Sequence, residues 1–322
     1  MAAKKGAAKK GAAKKGAARK GAATGGDERE EEVPLRRGCG AMAAHMLLLE
    51  KHPAFRARQF RLEQDTQKQR TVALDVAKFP LARIKVVVNV VFRTATQNIS
   101  DAQIESQIKV LNQDFRRTNA DRSKTPTAFK GLVSDARVEF ALHKVTRTQT
   151  TRASFGIDDG VKKASAGGVA PLDPRKFLNL WVCALSGGLL GYAQFPGGPT
   201  ATDGVVINYR AFGTSGTAAA PFNKGRTATH EVGHFLNLRH IWGDTEDCSG
   251  SDLVADTPNA AGPNFGAPKF PKVSCNNGPN GDMFMNYMDY VDDAAMFMFT
   301  QAQAARINAT LAGPRKKIAG LT

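Results

Sequence analysis

Cysteine is scarce in this chain of 322 residues. Its four, Cys39, Cys183, Cys248 and Cys275, are too few for a disulfide-built scaffold. They leave room for one bridge, whose connectivity composition does not settle. Long apolar runs are missing as well. None approaches the roughly 18 residues that a membrane-spanning helix needs, so the expectation is a soluble chain, and 42% apolar residues suffice for a packed core. Acids are absent from residues 1–26, where eight Lys and Arg supply half of the formal net charge of +16. Residues 230–293 reverse the balance, with ten Asp and Glu against three Lys and Arg. A basic chain with an acidic far half argues against a nucleic-acid-binding core. It argues for a site that attracts cations, either metals or basic peptides.

The basic start is the repeat AAKKGAAKKGAAKKGAARKG, followed by acids from Asp27 to Glu32. Such a tract cannot bury apolar surface and is expected to be disordered over residues 1–32. It has no apolar stretch of the kind that marks a Sec-type signal. A polyanion-binding arm is one use for it. Residues 33–70 differ in composition, being helix-prone and rich in arginine, and they read as a pro-segment with a cleavable end. From residue 71 to 322 a third composition takes over. Ile84 to Phe92 (IKVVVNVVF) is a buried-strand pattern. Ser100 opens a helix, with Gln103 at the capping-box position and Ile104, Ile108, Leu111 and Phe115 on one face. Further strands are expected at Arg137–His143, Leu178–Ala184 and Gly204–Tyr209. Helices are expected over Lys224–Asn237 and from Thr300 to Gly313, separated by some 50 residues rich in Gly, Pro, Asn and Asp.

Three of the six histidines fall within eleven residues: His230, His234 and His240. Residues i and i+4 of a helix project from one face a turn apart, so His230 and His234 can share one ion. His240 joins them only if the chain turns back after about Asn237. Three neutral imidazoles leave one zinc position open for water, the arrangement of a catalytic site. Glu231 stands next to the first ligand, where a carboxylate can take the proton of that water and deliver it to a leaving amine. A surface helix with incidental histidines does not produce this register.

With these residues in place the chain resembles a metzincin metallopeptidase. Asn286-Tyr287-Met288-Asp289-Tyr290 is similar to the Met-turn, which makes Met288 the floor under the metal and Tyr290 a phenol donor to the oxyanion. More narrowly it resembles the pappalysin family, on QNISDAQIESQIKVLNQDFRRTNAD, LNLWVCALSGGLLGYAQFPG, HEVGHFLNLRH, DTPN and NYMDYVDD, over about residues 84–312. The resemblance implies an α/β (α+β) zincin-like domain, with a twisted mixed sheet, a backing helix and the zinc helix above an irregular lower part. It implies one catalytic zinc, hydrolysis of internal peptide bonds of proteins, synthesis as a zymogen, secretion and a monomer.

The same resemblance implies several individual roles. Gly188, Leu189, Leu190 and Gly191 belong to an edge strand that can bind an extended peptide by strand addition. Cys248 and Cys275 match a disulfide, and Asp252 and Thr257 match a calcium site of oxygen ligands. Cys39 resembles a pro-segment cysteine placed on the zinc, where a thiolate displaces the water. Cys183 sits in a strand pattern as a small buried hydrophobe. Asn237 replaces the usual glycine at the turn to the third ligand, and asparagine is the next best residue for a left-handed conformation. Some members select basic residues after the scissile bond through an acid below the Met-turn. Asp292 and Asp293 are near, with Ala294 at the position that decides. The competing possibility is a surface or polyanion-binding protein whose basic tail is the main functional element.

Overall fold

A computed structural model describes residues 36–73 and 78–321. The basic repeat of residues 1–32 lies outside the described residues. Five strands build one sheet: β1 Ala82–Phe92, β2 Val138–Gln149, β3 Leu178–Cys183, β4 Gly191–Ala193 and β5 Val205–Asn208. Their order is β2-β1-β3-β5-β4, and only β4 runs antiparallel to its neighbour. Strands β3 and β5 are buried along their whole length, which explains why they read as unbroken apolar runs and not as alternation. The two long helices that follow the sheet strands are α3 (Asp101–Phe115) and α4 (Arg226–Phe235), preceded in the chain by α1 (Ala41–Lys51) and α2 (Pro53–Ala73) and followed by α5 (Gln301–Ala312) and α6 (Lys316–Ala319).

The helix ends follow local chemistry. Thr300 and Gln303 form a full reciprocal capping box at α5. At α3 the expectation holds by half. The Ser100 side chain accepts from Gln103 N, but the Gln103 amide turns away and donates to Tyr209 O and Phe212 O at 3.2 and 2.8 Å. Holding a buried loop satisfies more polar groups there than closing the box does. Helix α4 ends at Phe235, two residues earlier than the sequence suggests. Asn237 lies at φ 74° and ends the helix in the left-handed conformation. Two bonds seal that turn: Leu238 N donates to Gly233 O at 2.9 Å, and Asn237 O accepts from Arg306 Nε at 2.6 Å.

One further difference concerns the segment before β5. The expected edge strand from Gly187 is shorter, because Gly187 and Gly188 take φ values of 68° and 70° that make a turn. Regular pairing begins only at Gly191. After α4 the chain is irregular to residue 300, as its composition suggests, and a disulfide joins Cys248 to Cys275 across 27 residues. Closing a loop of that length contributes about 3 kcal/mol in the chain-entropy account. Cys183 is fully buried in β3.

Candidate metal centre and active site

The zinc-site histidines are assembled by two devices. Helix α4 stacks His230 over His234, and the Asn237 turn returns His240 to them. The Nε2 atom of His234 lies 3.2 Å from that of His230 and 3.0 Å from that of His240. Each ring is fixed through its other nitrogen: His230 Nδ1 to Tyr287 O at 2.7 Å, His234 Nδ1 to Leu238 O at 2.8 Å, and His240 Nδ1 to Asp244 Oδ1 at 2.5 Å. Those acceptors place the ring protons on Nδ1, so the three Nε2 lone pairs point at one another. A cation between them removes the repulsion. Burial holds His230 and His234 well below the usual imidazole range, so they are neutral and ready to bind a metal. Among the described residues the one group of three or more His, Cys, Asp or Glu able to hold an ion is Cys39, His230, His234 and His240, with donor atoms within 4.8 Å.

Cys39 comes from the segment before α1. Its Sγ is 3.5 Å from His234 Nε2. Burial, with the Glu231 carboxyl beside it, pushes the thiol up, so a thiolate is stable here only with a cation in place. The flanking backbone adds to the sheet. Leu190 N donates to Gly38 O at 2.8 Å and Gly40 N donates to Gly191 O at 2.9 Å. Residues 38–40 therefore lie along the strand edge named from the sequence, with Leu189 and Leu190 against them.

Glu231 is 1% exposed, and its Oε2 has no hydrogen-bond partner. Burial pushes its carboxyl up to about 8, against the opposing pull of Cys39 and Arg37. A carboxyl so placed holds and releases a proton near neutrality, as a proton shuttle requires. Gly191 makes room for it, since a Cβ there would stand 2.9 Å from Glu231 Cγ. Tyr290 packs its ring on His240 and Trp242, at 4.9 and 4.7 Å between centroids, and its hydroxyl lies 3.5 Å from Cys39 O. Burial raises the phenol far above its ordinary value, so it acts only as a donor at neutral pH.

Met288 is fully buried against the zinc helix. The helix yields to it at Gly233, where a Cβ would meet Met288 Sδ at 2.5 Å. Gly233→Ala forces that contact apart, and overpacking of this kind costs about 1–3 kcal/mol. The expected result is a lowered melting temperature together with weaker zinc retention, measured by metal analysis after dialysis. A variant that melts and retains zinc like the parent would show the contact to be soft.

Several site residues escaped sequence reasoning. Arg37 is 3% exposed. Its guanidinium reaches Asp293 Oδ1 at 2.6 Å, Thr227 Oγ1 at 2.9 Å and Val291 O at 3.2 Å, and it lies over the Phe222 ring. Of the two acids near the Met-turn, Asp293 is the one that receives Arg37. Asp293 Oδ2 also accepts from Lys224 N at 2.7 Å and Arg226 N at 3.2 Å, capping α4, whose own cap residue Gly225 supplies no side chain. Asp114 forms a second anchor. It pairs with Arg226 at 2.9 Å and accepts from Thr229 Oγ1 and from the hydroxyl of Tyr287, the residue whose carbonyl fixes His230. Burial raises the Asp114 carboxyl to about 6, against these partners. A signal for Arg37 stood beside Cys39 in Arg-Gly-Cys-Gly; nothing local marked Asp114.

Asp252 and Thr257 meet as well, away from the histidines: Thr257 Oγ1 donates to Asp252 Oδ2 at 2.7 Å.

A His-Glu-x-x-His helix, a turn to a third histidine and a methionine floor beneath a mixed sheet define a zinc-dependent metalloendopeptidase of the metzincin type. Residues 169–312 match the peptidase family described as Pregnancy-associated plasma protein-A, and the chain belongs to this pappalysin family. It is 37% identical over 219 residues to an extracellular metalloprotease of Arthroderma benhamiae, covering 66% of this chain and 71% of that one. With an extracellular metalloprotease of Arthroderma gypseum it shares 30% over 287 residues, covering 85% and 84%. Among solved structures it is similar to mature mirolysin of Tannerella forsythia in complex with a cleaved peptide (50% identity, TM-score 0.72, 74% of this chain and 95% of that one). It is also similar to a promirolysin variant from the same organism (44% identity, TM-score 0.79, 88% and 97%). The pro form aligns over more of this chain than the mature form does, in keeping with synthesis as a zymogen.

Proposed function

We propose that the enzyme is secreted and cleaves proteins on the amino side of basic residues, and that residues 33–70 are a pro-segment that occupies its own substrate cleft. The observation that carries this reading is the placement of Arg37 and Cys39. An arginine from the pro-segment fills a closed acidic pocket while the next residue but one reaches the metal position. The zinc, when bound, lowers the pKa of a water toward about 7 and polarises a carbonyl oxygen. Glu231 takes the proton of the attacking water and returns it to the leaving amine. Tyr290 donates to the developing oxyanion once Cys39 has left. The residue 188–191 edge binds the extended substrate backbone through the groups that now hold residues 38–40. The alternative of a surface protein acting through its basic tail is not favoured, because the remainder of the chain builds a protease.

Secretion is supported by the relatives named extracellular, and substrates follow from the chemistry as proteins and peptides. The protein acts as a monomer without nucleic acid. Calcium belongs to the same proposal. Asp252 is buried, pushed up to about 7 by that burial, and has no ion pair among the described residues. With Thr257 and nearby carbonyls it offers the hard oxygen donors that calcium takes. A calcium-selective chelator is expected to lower the melting temperature while zinc content stays constant. An unchanged melting curve would remove calcium from the account.

Specificity is read by digesting casein and sequencing the fragments by mass spectrometry. New amino termini are expected to be mainly Arg and Lys. An even distribution of first residues would overturn the basic preference.

A further inference from the structure

The pro-segment makes a second ion pair, separate from the zinc, between a half-buried acid and a fully buried arginine. Helix α2 carries only two acids, Glu63 and Asp65, among Arg56, Arg58, Arg61, Lys68 and Arg70. Glu63 faces the one fully buried arginine of α5. Its two carboxylate oxygens receive Arg306 Nη1 and Nη2 at 2.7 and 2.6 Å, the bidentate geometry in which a guanidinium recognises a carboxylate. The same guanidinium donates through Nε to Asn237 O at 2.6 Å. Arg239 lies in the same charge cluster, and it has no ion pair among the described residues. Burial works to raise the Glu63 carboxyl, and the Arg306 fork outweighs it, so the net shift is downward. Thr66, one turn on, is 2% exposed and lies 3.5 Å from Asn237 Nδ2. The helix is thus docked by an acid and a hydroxyl onto the turn that carries the chain to His240.

We propose that Arg306, backed by Asn237 O and flanked by Arg239, is a carboxylate-binding site of the processed enzyme, and that helix α2 is its ligand in trans. This rests on the reading of residues 33–70 as a removable pro-segment. In the uncleaved chain the Glu63 carboxylate takes both hydrogen bonds of the Arg306 fork. Removing α2 leaves Arg306 with a guanidinium fork held in direction by Asn237 O and no anion opposite it. An acidic residue on a helix restores the pair, and the helix already shaped to this surface is α2 itself. The released pro-segment is then a product that rebinds next to the third zinc ligand without touching the metal.

The test uses the full chain carrying the recognition sequence of an external protease at residues 74–77. The chain is cut, the amino-terminal piece is removed in high salt, and a labelled peptide spanning residues 53–73 is titrated onto the remainder. Binding is expected by fluorescence anisotropy, weakened by salt, and unaffected by a zinc chelator. The Glu63→Gln peptide should bind at least about tenfold more weakly, because a buried guanidinium then lacks its charge partner. Arg306→Ala risks the fold, so the decision rests on the peptide variants. Equal binding of the two peptides overturns the proposal, as does no binding of the parent peptide to a remainder that keeps its circular dichroism. A remainder that unfolds on separation also overturns it, since α2 is then part of the fold and not a ligand. Failure of the chain to process itself without the external protease counts against the zymogen reading alone.

Discussion

Glu231→Gln is expected to lower kcat for casein-derived peptides by about 10²–10⁴-fold, the usual contribution of a positioned general base and acid. The reason is specific to this carboxyl. It is buried beside the three histidines, has one oxygen without a partner, and titrates near neutrality because of burial. Glutamine keeps the volume under Gly191 and loses the proton relay. The same substitution is not expected to destabilise the protein. An ionisable group in an apolar setting costs free energy that a neutral amide of equal shape lessens, so the melting temperature should hold or rise. On the proposed reading of residues 33–70 as a pro-segment released by this activity, the uncut chain should accumulate. A variant with parental kcat would sink the mechanism, and a large drop in melting temperature would assign Glu231 a structural role.

Asp293→Asn is expected to separate substrate recognition from the chemistry. Asp293 is fully buried, with one oxygen on the Arg37 guanidinium and the other on the first turn of the zinc helix. Breaking a buried ion pair costs about 3–5 kcal/mol when one charge is left behind, and losing an N-cap costs about 1 kcal/mol. Asparagine retains an acceptor for the helix, so most of the loss falls on arginine. The value of kcat/KM for a peptide with arginine after the scissile bond should fall by about a hundredfold, in line with a lost charge-assisted pair. A matched peptide with leucine there should change far less. Equal losses for both peptides would mean that Asp293 serves only to cap the helix.

The two substitutions differ in how visible their targets are in the chain. Glu231 is legible because helical geometry is local: residues four apart share a face in any helix, so His230, Glu231 and His234 declare their relation without tertiary information. The left-handed Asn237 follows from the same local logic, as does the capping box at Thr300. Errors of extent occurred where a neighbour overrode the local pattern. Gln103 left its capping position to hold a buried loop, and the Gly187–Gly188 turn shortened the edge strand.

Asp293 was only half legible. Proximity to the Met-turn drew attention to two acids, but which one faces the cleft depends on the path of an irregular segment. The partner Arg37 lies 256 residues away, and no periodicity or spacing links such a pair. The same holds for Asp114 behind Tyr287 and for Glu63 on Arg306.

The sequence by itself therefore determined the class of reaction: the three histidines and Glu231 stand in one short motif whose spacing dictates their geometry, and resemblance added Met288 and Cys39 to it. The tertiary structure decided which distant charges meet: Arg37 with Asp293 and Glu63 with Arg306. Those choices are made by buried charges meeting across long separations, where the loss of water makes a single pairing decisive and only the packed fold states which charges meet.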